Sequence, residues 1–316
     1  MAVWRKRFNR SISEFSAYPR KKLIGISVVV VVVMMCIVIG ASVGASRRRA
    51  SLNKNKNASM FERNFIATWA ADHLKLRDGG QIVDVILDQT SGAGFGSYNR
   101  YLYGNLGMHI KLVPNDSAGT VTTYYLSSLT DDKDQLEYQF IGNASGQPYV
   151  LQTNIYVNGL GDREQRMFLW FDPTTEYHEY KILWNQYQIV FFVDDLPIRV
   201  FRNNSAAGLP YPHKQPVGIY SSLWNGAQWA GLQKINWAYA PFTASYQGFT
   251  IDGCQIQGSV DDCLTGTYWW DSENFQKLDA NQTAHLKWVQ ERCVIYNYCT
   301  DAQRFSSPPP ECAYNP

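Results

Sequence analysis

The chain has 316 residues, which is enough for one large domain or two smaller ones. Its net charge is +2, 18% of its residues are charged, and no extended basic patch lies outside the N-terminal region, so nucleic-acid binding is not expected. Ten tryptophans and twenty tyrosines suit either the core of a β-sandwich or a groove that stacks on sugar rings.

The first predicted element is a membrane span. Residues 23–45, LIGISVVVVVVMMCIVIGASVGA, are uncharged and long enough to cross a bilayer core of about 30 Å. Basic residues flank both ends and only weakly favour a cytosolic tail at residues 1–22. Five Asn-x-Ser/Thr glycosylation triplets decide the orientation because all follow the span, at Asn57, Asn115, Asn143, Asn203 and Asn281. The chain is therefore predicted to be a single-pass type II membrane protein whose domain faces the lumen or the apoplast. A cleavable signal peptide is the alternative.

The segment after the span is predicted to be a flexible stalk over residues 46–60, because it is polar and nearly free of large apolar groups. A globular domain follows over residues 61–245. Its short segments of alternating apolar and polar residues are separated by Gly, Pro, Asn and Asp. They predict strands packed as a two-sheet sandwich. In MHIKLV the side chains of Met108, Ile110 and Leu112 share one face, and Asp194 and Asp195 predict a turn between two strands.

The stretch DQLEYQFIG, residues 134–142, is the strand with the clearest alternation. Leu136, Tyr138 and Phe140 are predicted to face the core, so that Gln135, Glu137 and Gln139 form a polar row on the other face. The row is interpreted either as a solvated sheet face or as part of a site. Two amides that flank one carboxylate are poor at moving protons near pH 7.

Residues 246–316 are predicted to form an extension with one helix. Five of the six cysteines lie there, and Cys254 with Cys263 and Cys299 with Cys312 would close two short loops. The remaining Cys293 lies at helical spacing with Leu286, Val289 and Tyr296, so a buried free thiol is expected. Neither a metal nor a cofactor is expected: no Cys or His pair has zinc-ligand spacing, and GAGFGS at residues 92–97 lacks the third glycine of a nucleotide-binding motif.

Six blocks carry a family resemblance: LVPNDSAGTVTTYYLSS, REQRMFLWFDPT, YHEYKILWN, YSSLWN, APFTASY and YNYCTDAQRF. Together they resemble the plant xyloglucan endotransglucosylase/hydrolases of glycoside hydrolase family sixteen, from about residue 61 to 316. The resemblance implies a β-jelly-roll sandwich with a polysaccharide cleft, followed by an extension with a helix and two disulfides. The full expectation is thus an all-β fold preceded by one N-terminal transmembrane helix, although most of that family have a cleavable signal peptide instead.

The family's catalytic strand commonly reads Asp-Glu-Ile-Asp-Phe-Glu-Phe-Leu-Gly. By resemblance, Gln135 takes the place of the nucleophile, Glu137 that of the helper acid, and Gln139 that of the general acid/base. The loop after Asn225 is also shorter than usual and has lost charge. The resemblance implies these sugar-contacting residues: Tyr101, Gln152, Asn154, Arg163, Gln165, Trp224, Trp229 and Arg304.

Three functions follow as hypotheses. The first is a membrane-anchored protein of the cell wall that binds xyloglucan or a related β-glucan, with cleavage and transfer lost or strongly reduced. The second is an enzyme with weak or altered transglucosylase activity. The third is a protein that docks on a protein partner in the cell wall.

Overall fold

The computed structural model describes residues 58–229 and 233–315. The expected tail, the expected membrane span at residues 23–45 and the Asn57 triplet lie outside the described residues. Within them, no helix combines the length and the apolar character needed to cross a membrane. The described chain begins at a short helix, α1 (Met60–Asn64), which is capped by the Ser59 hydroxyl and by the Glu62 carboxylate.

Two antiparallel sheets form the body of the protein, which confirms the predicted all-β sandwich. The eight-stranded sheet has the order β1 (Phe65–Trp69), β4 (Ala93–Ser97), β13 (Gly218–Asn225), β6 (Thr120–Ser127), β7 (Gln135–Ile141), β8 (Val150–Tyr156), β9 (Gln165–Phe168) and β15 (Val294–Asn297). The seven-stranded sheet has the order β12 (Leu196–Arg202), β11 (Gln188–Val193), β10 (His178–Trp184), β5 (Tyr101–Lys111), β14 (Phe242–Gln255), β3 (Ile82–Leu87) and β2 (Leu74–Arg77).

The core lies between the two sheets and is filled by alternate side chains of each strand. In β7, Leu136, Tyr138 and Phe140 are at most 1% exposed, as their alternation predicts. The Tyr138 hydroxyl shares its single proton between the carbonyls of Lys181 and Phe192 in the seven-stranded sheet, at 2.8 and 2.9 Å. Because these bonds join β7 to the opposite sheet, the other face of β7 must point away from the core.

The predicted turn at Asp194 and Asp195 is confirmed. Both residues have positive φ, 48° and 63°, and they join β11 to β12 in a two-residue hairpin. Aspartate tolerates this left-handed backbone better than most residues, which explains why a pair of them occurs between two apolar strands.

The C-terminal extension follows β14 and contains α2 (Asp261–Thr265) and α3 (Ala280–Arg292). Since β14 runs unbroken from Phe242 to Gln255, the domain boundary expected at residue 245 falls inside a strand. Asp279 and Gln282 form a capping box that starts α3. Both predicted disulfides, Cys254–Cys263 and Cys299–Cys312, are present.

Cys293 is a buried free thiol, as predicted. The helical spacing that led to it extends too far, however, because α3 ends at Arg292 and Tyr296 lies on β15. The change from helix to strand comes from pairing: Val294 and Tyr296 lie opposite Met167 and Arg166 of β9. Pairing with the edge of the sheet therefore makes this segment a strand, although its apolar spacing also fits a helix.

Candidate functional site

The polar row predicted on β7 lies at the centre of the eight-stranded sheet, on its outer face. Gln135 is 7% exposed and Glu137 4%, while Gln139 is half-buried. On β8 the residues opposite are Tyr156, Asn154 and Gln152, and on β6 they are Ser127, Tyr125 and Thr123. The row is therefore mostly buried, and polar or aromatic side chains of β6 and β8 lie on either side of it. It is not an open, solvated sheet face.

The side chains of the row converge on the Glu137 carboxylate. Gln135 Nε2 donates to Glu137 Oε2 at 2.5 Å, and Gln139 Nε2 donates to Oε1 at 3.2 Å. Both amides therefore turn their nitrogen atoms toward Glu137. The arrangement fixes the orientation of each amide and leaves the Gln135 carbonyl oxygen available to a ligand.

A hydrogen-bond chain continues from the row across β8 to β9. Gln152 Nε2 donates to Gln139 Oε1 at 2.9 Å, and Arg166 Nε donates to Gln152 Oε1 at 2.7 Å. Every donor in this chain points from the guanidinium toward the carboxylate, so the chain is polarised along its length. The Arg166 guanidinium also lies over the Tyr296 ring, 5.6 Å from its centroid.

Burial dominates the electrostatics of Glu137. It raises the pKa of the carboxyl from 4.5 to about 7, although the amides of Gln135 and Gln139 lower the pKa in part. Asp134, the other acid of this stretch, is 2% exposed and accepts from the backbone N–H of Asn158 at 2.9 Å. Glu137 is therefore the acid that this strand places in the row.

An aromatic and hydroxyl-bearing surface continues the outer face beyond β6. Tyr125 stacks on Tyr220, with ring centroids 5.3 Å apart, and Thr123 bonds to Ser222 through their hydroxyls at 2.8 Å. These residues carry no motif of their own. The strand alternation that placed the polar row would identify them once β6 is known to pair with β7, and β13 with β6.

Two of the predicted sugar-contacting residues, Trp224 and Trp229, lie together at one end of this outer face. Trp224 is on β13, opposite Val121 of β6, and Trp229 is in the turn that follows. Their ring centroids are 6.4 Å apart, and both side chains are half-buried. Such placement leaves part of both aromatic surfaces open to solvent, and their contact with a sugar stays a prediction.

Gln152 and Asn154, two further predicted sugar contacts, lie on β8 opposite Gln139 and Glu137 of the row. Gln152 belongs to the hydrogen-bond chain described above. The Asn154 side-chain oxygen accepts from the backbone N–H groups of Ile155 and Arg163, at 2.8 and 3.1 Å. Asn154 therefore fixes the backbone between β8 and β9, and its oxygen is already occupied.

Arg163 has a structural environment rather than the predicted position at a groove. It is 8% exposed, its Nε donates to Glu311 at 2.7 Å, and its Nη1 donates to the carbonyls of Leu160 and Gly161. This buried ion pair holds the C-terminal tail against the sandwich. Its guanidinium is committed to these contacts, which argues against a sugar contact.

Gln165 faces the opposite side of the sheet from the polar row. It pairs with Thr153, whose hydroxyl accepts from Arg199 of the seven-stranded sheet at 2.9 Å. The predicted ligand contact is wrong because Gln165 lies on the other face of the sheet from the polar row. Neighbouring residues of a strand point to opposite faces, so a shift of one residue changes the face. Arg166, for which the sequence predicted no role, lies on the outer face of β9, opposite Gln152.

Tyr101 lies in the core, where it is 4% exposed, so its predicted contact with a ligand has no support in this geometry.

Arg304 lies at the far end of the outer face. It forms ion pairs with Asp162 and with Glu164, the latter at 2.6 Å, and it approaches the Tyr296 hydroxyl at 3.4 Å. Through Tyr296 it borders the Arg166 end of the hydrogen-bond chain.

The described glycosylation triplets lie at the surface or close to it. Asn115 and Asn281 are exposed, whereas Asn143 and Asn203 are half-buried and donate to the carbonyls of Pro148 and Gln186. Their modification stays a prediction.

In the described part of the chain, no group of three or more His, Cys, Asp or Glu side chains is arranged to hold a metal ion.

Comparison with known proteins shows the family of this chain and supports its fold. Residues 61–239 match the family model for glycosyl hydrolases family 16, and residues 265–312 match the model for the xyloglucan endo-transglycosylase C-terminus. A solved structure, the Bacillus licheniformis β-glucanase, is 20% identical with a TM-score of 0.51 and covers 63% of this chain and 96% of its own. At that identity the likeness supports the fold alone.

Two relatives are much more similar in sequence. The probable xyloglucan endotransglucosylase/hydrolase protein 5 of Arabidopsis thaliana is 56% identical over 256 residues, which are 80% of this chain and 87% of that protein. Xyloglucan endotransglucosylase protein 34 of Populus tremula x Populus tremuloides is 48% identical over 301 residues, or 94% of this chain and 97% of the relative. This chain therefore belongs to glycosyl hydrolase family 16, among the xyloglucan endotransglucosylase/hydrolases.

Proposed function

We propose that this chain is a membrane-anchored member of the family that binds xyloglucan and has lost, or strongly reduced, the ability to cleave and transfer it. The observation that carries the proposal is the polar row. By resemblance to the family pattern, Gln135 and Gln139 take the places of its two catalytic glutamates, and Glu137 takes that of the helper acid.

The chemistry of a retaining glycosidase explains why this substitution is severe. One carboxylate must attack the anomeric carbon and a second must protonate the leaving oxygen, with the two groups about 5–5.5 Å apart. An amide oxygen is a poor nucleophile, and an amide nitrogen does not release a proton near neutral pH. Loss of general acid/base help alone costs about 10² to 10⁴ in rate, and loss of the covalent route adds to that.

Binding does not need these carboxylates. Gln has nearly the volume of Glu and hydrogen-bonds sugar hydroxyls through both its oxygen and its nitrogen. Below pH 7 the Glu137 carboxyl is increasingly protonated, so the row becomes a neutral surface. A neutral row beside the half-buried rings of Trp224 and Trp229 suits an uncharged glycan.

A second candidate, an enzyme of weak or altered activity, rests on the pKa of Glu137. A carboxyl with a pKa of about 7 is well matched to proton transfer at neutral pH. It cannot attack and protonate from the same position, however, and its two oxygens already accept from Gln135 and Gln139. The binding function is therefore preferred.

The location is part of the proposal. Residues 23–45 would anchor the chain, and the five glycosylation triplets that follow favour a domain in the lumen or apoplast. Protease protection of the chain in sealed microsomes tests the orientation. Survival of the C-terminal domain together with loss of the N-terminal tail is expected, and degradation of the domain would contradict it.

The test of lost activity restores both carboxylates. The full chain and its Gln135→Glu, Gln139→Glu double variant are incubated in detergent with xyloglucan and a fluorescent xyloglucan oligosaccharide. The double variant is expected to transfer label into the polymer at a rate at least about 10² above the parent chain. Equal rates in a folded double variant that still binds xyloglucan would contradict the proposal that the missing carboxylates limit turnover.

A further inference from the structure

A cavity lies on the outer face of the seven-stranded sheet, on the opposite side of the sandwich from the polar row. The extension segment 269–282 crosses this face and leaves a cavity of about 180 Å³ lined by Asn105, Lys181, Trp269, Phe275 and Gln282, which we name the extension pocket. At about 30 Å³ for each water, the volume accommodates about six waters. That is room for one sugar ring with its hydroxyl groups.

Trp269 gives the extension pocket a fixed aromatic wall. Its indole Nε1 donates to Asp252 Oδ2 at 2.7 Å, and its ring meets that of Phe275 edge to face, with centroids 4.8 Å apart. The side chain is nevertheless 41% exposed. A large aromatic side chain that is held in place yet left open to solvent loses little entropy on binding, and its apolar surface suits the C–H groups of a sugar.

Polar groups complete the pocket. The Asn105 side chain makes no hydrogen bond to any of the described residues, so both its donors and its acceptor remain for a ligand. The Gln282 oxygen accepts from the Asp279 backbone N–H in the capping box, which leaves the Gln282 amide nitrogen. Because the pocket offers both donors and acceptors, it matches sugar hydroxyls, which need both.

The positive charges at the extension pocket are offset by acidic groups. Lys181 Nζ is held between Glu179 and Asp195 at 2.7 and 2.6 Å, and Lys277 is the other lysine of the lining. With Asp252, which accepts from the Trp269 indole, these groups carry two positive and three negative charges, so the pocket has no positive field that would select an acidic ligand. An uncharged glycan is therefore favoured over an acidic one.

We propose that the extension pocket is a second glycan site, which binds one sugar residue of a neutral β-glucan independently of the polar row. The choice of xyloglucan as that glucan rests on the proposed function. Since the two sites lie on opposite faces of the sandwich, one chain can hold two glycan strands at once. This arrangement turns a binding protein into a link between polysaccharides.

The test is a binding stoichiometry on the full chain in detergent, measured by equilibrium dialysis to saturation with a labelled xyloglucan heptasaccharide. Two equivalents are expected for the parent chain and for Trp288→Ala, a control tryptophan of the extension that is 43% exposed and lies outside the pocket. Trp269→Ala is expected to retain one equivalent. Asn105→Ala, which leaves the aromatic packing intact, is expected to weaken one of the two sites about tenfold.

Trp229→Ala, at the polar-row face, separates failure of this inference from failure of the proposed function. One equivalent in the parent chain that Trp229→Ala weakens and Trp269→Ala leaves unchanged would overturn the extension pocket alone. One equivalent that only the Trp269 and Asn105 variants weaken would support the pocket and overturn binding at the polar row. No binding by the parent chain would overturn both.

Discussion

Replacement of Glu137 by Gln is predicted to stabilise the protein, and only at neutral and alkaline pH. Burial raises the pKa of this carboxyl from 4.5 to about 7, so the folded chain holds the proton more tightly than the unfolded chain does. The ionised form therefore costs stability. The cost is absent below pH 4.5, grows as the pH rises to 7, and is complete above that.

The magnitude follows from the two pKa values. Their difference, at about 1.36 kcal/mol for each pH unit, gives about 3 kcal/mol of lost stability at pH 8. In Glu137→Gln the amide oxygen can accept from Gln139 Nε2, and the amide nitrogen can donate to the Gln135 oxygen once the Gln135 amide turns over, so the variant removes the cost of ionisation and keeps two hydrogen bonds. For a domain of this size the melting temperature is expected to rise by about 6–12 °C at pH 8 and to stay unchanged at pH 4.5.

The assay is thermal unfolding of the full chain in detergent, followed by near-ultraviolet circular dichroism at both pH values. Glu273→Gln serves as the control because Glu273 is exposed, and it should shift the melting temperature equally at the two pH values. A Glu137→Gln shift that is the same at pH 4.5 and pH 8 would refute the argument from burial.

Two further predictions concern the C-terminal tail and use the same unfolding assay. Glu311→Gln leaves the buried Arg163 guanidinium without its charged partner, so it is expected to lower the free energy of unfolding by about 3–5 kcal/mol. Lys287→Met is the control. It breaks an exposed contact at 3.8 Å and should lower the free energy of unfolding by less than about 0.5 kcal/mol. Similar losses in both variants would contradict the structural role of the buried pair. Replacement of Cys299 and Cys312 by Ser opens a loop of 13 residues and is expected to cost about 3 kcal/mol. A double-Ser variant as stable as the oxidised parent would show that the tail is held by other contacts.

Local patterns predicted the strand at the centre of the site. The alternation of apolar and polar residues over 134–142 gave the correct two faces, because one face of a central strand must pack on the opposite sheet. The Asp194–Asp195 turn is equally local, since it depends on residues that tolerate positive φ. Short loops between cysteines likewise gave both disulfides.

Contacts that depend on strand register could not be predicted in the same way. Gln165 and Arg166 are neighbours in sequence, and the pairing of β9 with β8 decides which of them faces the polar row. That pairing is a long-range property with no local signal. Tyr101 shows the same limit, because a tyrosine on a long strand suits either the core or a ligand surface until the opposite sheet is placed.

The most direct test of the central claim measures binding and turnover on one sample of the full parent chain. The protein is incubated with xyloglucan and a fluorescent xyloglucan oligosaccharide, its retention by the polymer is recorded, and the mixture is then separated by size under denaturing conditions. Retention by the polymer, with the label still in the oligosaccharide fraction and the polymer size unchanged, is the predicted result. Label in the polymer fraction, or a shortened polymer, would contradict the account.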